Sequence, residues 1–371
     1  MPVGSYTCAA VHYPFCAATF DAVNKTFTHT WGDAYCSTDL AAYDFMFSTV
    51  YETPFVVDET TTVLPIALTF RPLMARIGMK LALGANETPK YVTFTTDDNV
   101  LPTAGTVNAD GTFSASALTN SLTVETDRKE FTVGLLPVGV ASKMSVHVTT
   151  TDGMTYSDKS FQLAGLKRNT HYTMNVPCRT KRFMLTVPDG VNSKYGTGTY
   201  GDNGFFQVEP QYDPESIFDG WHFLRSEIKS DKDAADGDVL KNRNRIQLQA
   251  VSLGTNRAQN GAFVTPPIQC DGTKTVTVSF TAATNKLTVG SVQYRIGVTN
   301  NGADISENFL RSFDNIQSSL EGECPWKHSG SVSRTHTFTV TNGQRIMMKV
   351  YSSGGGTPCH LELADFTYTV E

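Results

Sequence analysis

The sequence predicts an all-β protein of two sandwich domains, and three observations carry that prediction. Apolar residues recur at every second position in short runs, as in Val276, Val278 and Phe280, which turns one strand face to a core and the other to solvent. Turn pairs punctuate those runs: Asp110-Gly111, Asp152-Gly153, Asp189-Gly190, Asp271-Gly272 and Asn342-Gly343 supply the positive φ that tight hairpins demand. A length of 371 residues exceeds one ordinary sandwich and suits two, each with its own core.

The elements follow in order. Thr69–Leu83 reads as a strand, a corner at Arg71–Arg76, and a second strand alternating Ile77, Met79, Leu81 and Leu83. Strands at Phe131–Leu136 and Lys143–Thr149 come next, the latter running into the Thr151–Gly153 turn, and Lys167–Val176 closes the block. Pro177–Arg182 then breaks the pattern with a proline and a basic cluster, Arg179, Lys181 and Arg182, which reads as a solvated linker. The domains are therefore placed at 1–180 and 181–371. In the second, a strand starts at Phe183, and glycine-rich or acidic loops are expected at Tyr195–Gly204, Ser230–Asp238 and Ser352–Gly356. Further strands are expected at Thr275–Phe280, Val292–Val298, Thr335–Val340 and Arg345–Tyr351, and a short helix at Asn308–Ser318.

Composition narrows the function. A net charge of −6 argues against a nucleic-acid partner, which needs a local excess of Lys and Arg. No apolar run is long enough to span a bilayer, and no charged-then-apolar leader precedes Pro2. The seven cysteines contain no Cys-x-x-Cys pair, so a zinc ribbon or thioredoxin-like site is unsupported. They read as small buried hydrophobes with one or two disulfides, the odd count leaving at least one thiol free or intermolecular.

The motifs that suggest chemistry fail in context. Gly196–Gly201 spells G-x-G-x-x-G but leads into another strand, Phe205–Val208, where a dinucleotide site needs a helix. Asp231, Asp233, Asp236 and Asp238 resemble a calcium loop, yet the sixth and twelfth positions hold Asp236 and Asn242 instead of Gly and Glu. A calcium site of another kind at Asp231 and Asp233 competes with a solvated acidic turn. No H-E-x-x-H and no G-x-S-x-G is present, and the protein is expected not to be an enzyme. The remaining candidates for ligand contact are Trp326 and His328, in the loop-like Cys324–His328 stretch, and Trp221 after Asp219-Gly220. For either tryptophan the competing reading is an aromatic that plugs the end of a sandwich.

With these residues in view, the first half resembles the fimbrillin family of Bacteroidetes, the pilins and pilus accessory proteins. The matching features are L-T-F-x-x-L-x-x-x-I-x-x-x-L over Leu68–Leu81, the Tyr91–Phe94 strand and the Leu101–Gly105 step to Asn108–Gly111. The Phe131–Pro137 strand, Ser145–Thr155 hairpin and His171–Met174 strand continue the likeness, which spans about residues 40–178. Members usually carry His where this chain has Pro72. The second half resembles jelly-roll modules of the galactose- or carbohydrate-binding type, at Trp221–Leu224, Asn244–Gln249, Ala262–Ile268 and Cys359–Val370. In that last stretch the apolar register changes at Ala364-Asp365, which suggests a bulge. Some relatives bind a structural calcium in this region, which makes Asp365 a further candidate ligand; no other cofactor is implied.

The resemblance implies a cell-surface, outer-membrane-associated fimbrial component or adhesin, with its export signal removed or absent. Its partners would be other pilus subunits, joined by β-strand addition, and a glycan or host ligand held by the second domain. An extra jelly-roll suits an accessory or tip position better than a shaft. The alternatives are a carbohydrate-binding surface protein that does not polymerise and, last, a polysaccharide-active enzyme.

Overall fold

The computed structural model describes residues 3–8, 12–13, 19–21, 23–24, 26–33, 35–43, 46–48, 51–60, 70–108, 110–187, 192–195, 205–207, 219–230, 240, 242–250, 260–285, 291–325, 330–353 and 359–371. Two compact units form. The first takes in Met1–Leu83, Thr88–Thr149 and Tyr156–Cys178; the second takes in Gly84–Glu87, Thr150–Thr155 and Arg179–Glu371.

The first unit is built around Ala75–Leu81, a strand in which Ala75, Ile77, Met79 and Leu81 are all buried. Its period-two burial follows the sequence alternation. Phe70–Pro72 precedes it and pairs antiparallel with Met46–Ser48, and the fully buried Leu73 and Met74 turn the chain between the two. Glu130–Leu135 flanks the central strand antiparallel, with Phe131 opposite Met79. His171–Val176 flanks its other side in parallel, with Met174 opposite Met79. A second sheet, in the order Ser121–Glu125, Pro89–Thr96, Ser142–Thr150, Thr155–Leu163, sends Val92, Phe94, Val146 and Val148 into the same core. Its other face is polar: Thr93 and Thr123 share a hydroxyl hydrogen bond, and the His147 ring bridges the hydroxyls of Thr95 and Ser157.

The second unit is a jelly-roll sandwich. One sheet runs Lys181–Met184, Cys359–Val370, Arg245–Ala250, Ser226–Lys229, Asn192–Tyr195, with Thr273–Asn285 pairing both Cys359–Val370 and Val332–Thr341. The other runs Phe205–Gln207, His222–Leu224, Ala262–Val264, Ile346–Ser353, Ser291–Val298, Gln317–Pro325. Between them lies an aromatic core of Phe183, Trp221, Phe223, Phe263, Phe366 and Tyr368.

Local turn chemistry explains where strands reverse. Gly111, Gly153, Gly272 and Gly343 all adopt positive φ, at 77°, 78°, 65° and 83°; the Asp189-Gly190 pair lies outside the described residues. The bulge falls where the register change suggests. Ser279 pairs Thr367 and Thr281 pairs Ala364, so Asp365 and Phe366 stand opposite one residue, and Asp365 takes φ 51°.

Three sequence expectations are corrected. The helix is one turn, Glu307–Arg311, capped by the Ser306 side chain on the Phe309 N–H. It ends because Ser312 is extended and the Asn315 side chain donates to the Phe309 carbonyl; Gln317 already begins a strand. Arg179 and Arg182 are exposed, but Lys181 is not a solvated linker residue. Its alternation with Phe183 turns it inward, where two carboxylates hold it. Ser352 and Ser353 extend the Ile346–Ser353 strand. Of the cysteines, Cys36, Cys178, Cys270 and Cys324 are buried and outside any disulfide, and burial pushes Cys36 and Cys324 up to about 12.

Candidate functional site

In the first unit the His171–Val176 strand hydrogen-bonds to Ala75–Leu81 on one side, and no strand among the described residues pairs with its outer edge. Its six residues present roughly 20 Å of backbone at about 3.3 Å per residue. Beside this edge lies a groove of about 480 Å³. Ile77 and Met144 form part of its wall, Phe161 and Leu163 stand across it, and Tyr172 and Met174 project from the edge strand. Tyr172 and Met174 are half-buried, alternating with the exposed His171, Thr173 and Asn175, so the strand offers an apolar row next to the backbone edge that no described strand pairs. Lys159, Gln162, Thr173 and Asn175 give the groove polar lining.

A second cavity of about 450 Å³, lined by Phe113, Pro137, Val138 and Arg168, shares Ala164, Gly165 and Leu166 with the first. At this junction Val138 and Leu166 exchange backbone hydrogen bonds. Gly165 there has φ 124°, and a Cβ on it would stand 2.9 Å from the Val138 carbonyl oxygen, so a larger residue is excluded twice over. Chemically, an unpaired strand edge with an apolar groove accepts an extended chain, through backbone hydrogen bonds and side chains at alternate positions.

Strand addition could also draw on a terminal strand of this chain, and the first and last strands differ in this respect. Cys359–Val370 is hydrogen-bonded along both edges, to Lys181–Met184 and Arg245–Ala250 on one side and Thr273–Asn285 on the other. Phe366, Tyr368 and Val370 are core residues of the second unit, so this strand cannot leave without opening that core. Gly4–Cys8 pairs with Tyr51–Val57 in a sheet of two strands.

Of the sequence-predicted site residues, the structure describes Trp221 and Asp365. Trp221 is fully buried, with its ring 5.2 Å from Phe183, 5.7 Å from Phe223 and 5.5 Å from Phe263. It therefore fills the core and offers no face to a sugar, which corrects that assignment. Trp326, His328, Asp231 and Asp233 lie outside the described residues, as does the Gly196–Gly201 loop. Asp365 is half-exposed at the bulge and ion-paired with Arg243, a cation where a metal ligand would need an empty coordination site. Among the described residues, no group of three His, Cys, Asp or Glu side chains is placed to hold a metal. Sequence reasoning read Lys167–Val176 as a strand but missed the groove. The only available signal was a half-apolar alternation, Tyr172 and Met174 between polar neighbours, ahead of a domain end.

Comparison with known proteins bears on the same unit. The fimbrillin-like family model matches residues 4–189, and no curated protein matches the chain. Among solved structures, a candidate cell adhesion protein from Bacteroides ovatus is 20% identical, with 45% of this chain and 60% of that one covered at a TM-score of 0.32. A second, from Bacteroides uniformis, is 17% identical over 45% and 66% of the two chains, TM-score 0.33. The chain thus spans less than two thirds of either protein. The C-terminal CBM6 of a marine laminarinase from Zobellia galactanivorans is 9% identical, covering 40% of this chain and 90% of the module at a TM-score of 0.24. With half its length matched, including every strand around the groove, the chain belongs to the fimbrillin-like family.

Proposed function

We propose that this protein is a non-catalytic, cell-surface fimbrial component or adhesin of the accessory or tip type, whose first unit accepts a β-strand from another pilus subunit. The observation that carries the reading is the edge of His171–Val176 that no strand among the described residues pairs, beside an apolar groove. A strand laid along that edge would extend the sheet and set its alternate side chains against Met144, Phe161 and Met174. The fixed Cys359–Val370 strand supports an accessory position, since it serves its own core and is not available for exchange. Outer-membrane association is part of the same reading. No helix among the described residues is long and apolar enough to cross a membrane, so we assign the attachment to other means.

The test places a photo-crosslinking side chain at the exposed Thr173 in producing cells. The expected product joins this chain to a β-strand of a pilus subunit, and Met174→Asp, which puts a charge into the apolar row, abolishes it. A Thr173 probe that labels nothing from assembled pili, or labelling unchanged by Met174→Asp, overturns the reading. Ligand recognition is assigned to Trp326 and His328 in the second unit. Trp326→Ala is expected to remove glycan-array binding while leaving the fold, read by circular dichroism, unchanged.

A further inference from the structure

The second unit shuts one lysine away with two carboxyl groups. The side chains of Lys181 and Asp152 are each 1% exposed, and that of Glu87 is 7% exposed. Lys181 Nζ lies 2.7 Å from Asp152 Oδ2 and 3.0 Å from Glu87 Oε1, and it also donates to the Gln269 carbonyl. Asp152 is fixed from its other sides. Thr150 Oγ1 donates to its Oδ1 at 2.5 Å, the Met154 N–H to Oδ1 at 3.2 Å, and the Gln269 N–H to Oδ2 at 3.0 Å. Glu87 is aimed as well, because its Oε2 accepts from the Gly84 N–H at 2.8 Å while Oε1 faces the amine. Met154, from the same turn, is fully buried in the apolar core of this unit.

A buried ion pair needs one cation and one anion, and a second carboxyl group adds desolvation without adding neutralisation. That surplus group is the part that amide formation requires. An amine held against a carboxyl carbon reacts only if something carries protons from the nitrogen to the departing oxygen. Fixed, dry geometry supplies the rest, by removing the entropy of encounter and excluding the water that would reverse the reaction.

We propose that Lys181 and Asp152 join in an intramolecular amide bond, with Glu87 as the proton carrier. The Lys181 ammonium passes a proton to Glu87, and the freed Nζ lone pair attacks Asp152 Cγ, forming the N–C bond. The oxyanion develops on Oδ1, where the Thr150 hydroxyl and the Met154 N–H already point. Glu87 returns its proton to Oδ2 and then carries a second from the tetrahedral nitrogen to the same oxygen, and the Cγ–Oδ2 bond breaks to release water as the Oδ1 oxyanion collapses to the amide carbonyl. One ammonium and one carboxylate become one amide and one water; charge balances, Glu87 is regenerated, and no oxidant or other reactant is needed. The product closes the chain from Asp152 to Lys181 into a covalent ring, which denaturation cannot open.

The test is the mass of the full chain, purified and denatured. The expected mass is lower than that of the sequence by one water. Trypsin should yield a branched peptide joining the segments that hold Asp152 and Lys181, with no cleavage after Lys181. Glu87→Gln, which keeps shape and hydrogen bonding, should fold with an unchanged circular dichroism spectrum and show the full sequence mass. Wild-type protein of full mass with two linear peptides overturns the proposal. So does a water loss confined to a linear peptide across Asp152-Gly153, because that marks a succinimide. Cross-linking of Glu87→Gln to the wild-type extent removes the role given to Glu87. Should Lys181→Met fail to fold, the wild-type digest and the Glu87→Gln mass still decide the matter.

Discussion

His222 is 6% exposed on the His222–Leu224 strand, and burial, reinforced by the nearby Arg345, pushes its imidazole down to about 4 against a smaller opposing pull from Asp304. In the unfolded chain the ring titrates near its ordinary 6.5. The unfolded state therefore binds a proton that the folded state refuses, so this contribution is complete above about 6.5 and is lost as the pH falls toward about 4. The loss is on the order of 3 kcal/mol. His336 is shifted the same way, by burial first and by Arg334 second, so it adds to the effect. His222→Gln is expected to flatten most, not all, of the decline in urea midpoint between neutral and mildly acidic pH. An unaltered slope would show that His222 is not the group responsible. The histidines were visible in the sequence, but which of them is buried beside a cation depends on strands far apart in the chain.

Most of the strands were legible at the scale of the element. Ala75, Ile77, Met79 and Leu81 alternate in the sequence and are buried in the same alternation, because a strand's side chains change face at every residue. Met79 is 2% exposed and lies between Phe131 and Met174 on its two neighbours. Met79→Ala should cost about 2–5 kcal/mol, read as a lowered unfolding midpoint of the first unit. The Asp365 bulge was legible for the same reason, since one extra residue shifts the phase of the apolar pattern. The helix was overextended, as its four apolar residues, Phe309, Leu310, Phe313 and Ile316, keep helical spacing while the backbone turns extended at Ser312. Periodicity reports which side chains go inward and not whether the chain between them is helical.

At the scale of the whole molecule, the two units are expected to fail separately. Phe366 is fully buried in the Cys359–Val370 strand and touches the rings of Phe263 and Tyr368. Phe366→Ala should destabilise the second unit by about 3–5 kcal/mol and leave strand capture at Thr173 intact. Met174→Asp should do the opposite, abolishing capture with little change in the second unit's unfolding. Loss of both properties in either variant would contradict a division of labour between them.

Sequence alone determined the fold class, most strands, the hairpin turns and the family resemblance. Each rests on local physics: side-chain alternation, glycine's access to positive φ, and patterned runs within a few residues of one another. Only the tertiary structure decided what each surface meets. It put Trp221 in a core instead of on a loop, paired Asp365 with Arg243, and set a groove beside the His171–Val176 edge, which no strand among the described residues pairs. It also drew Lys181 out of an apparent basic linker and set it between Glu87 and Asp152. Those outcomes depend on contacts between residues far apart in the chain, and no local pattern carries that information.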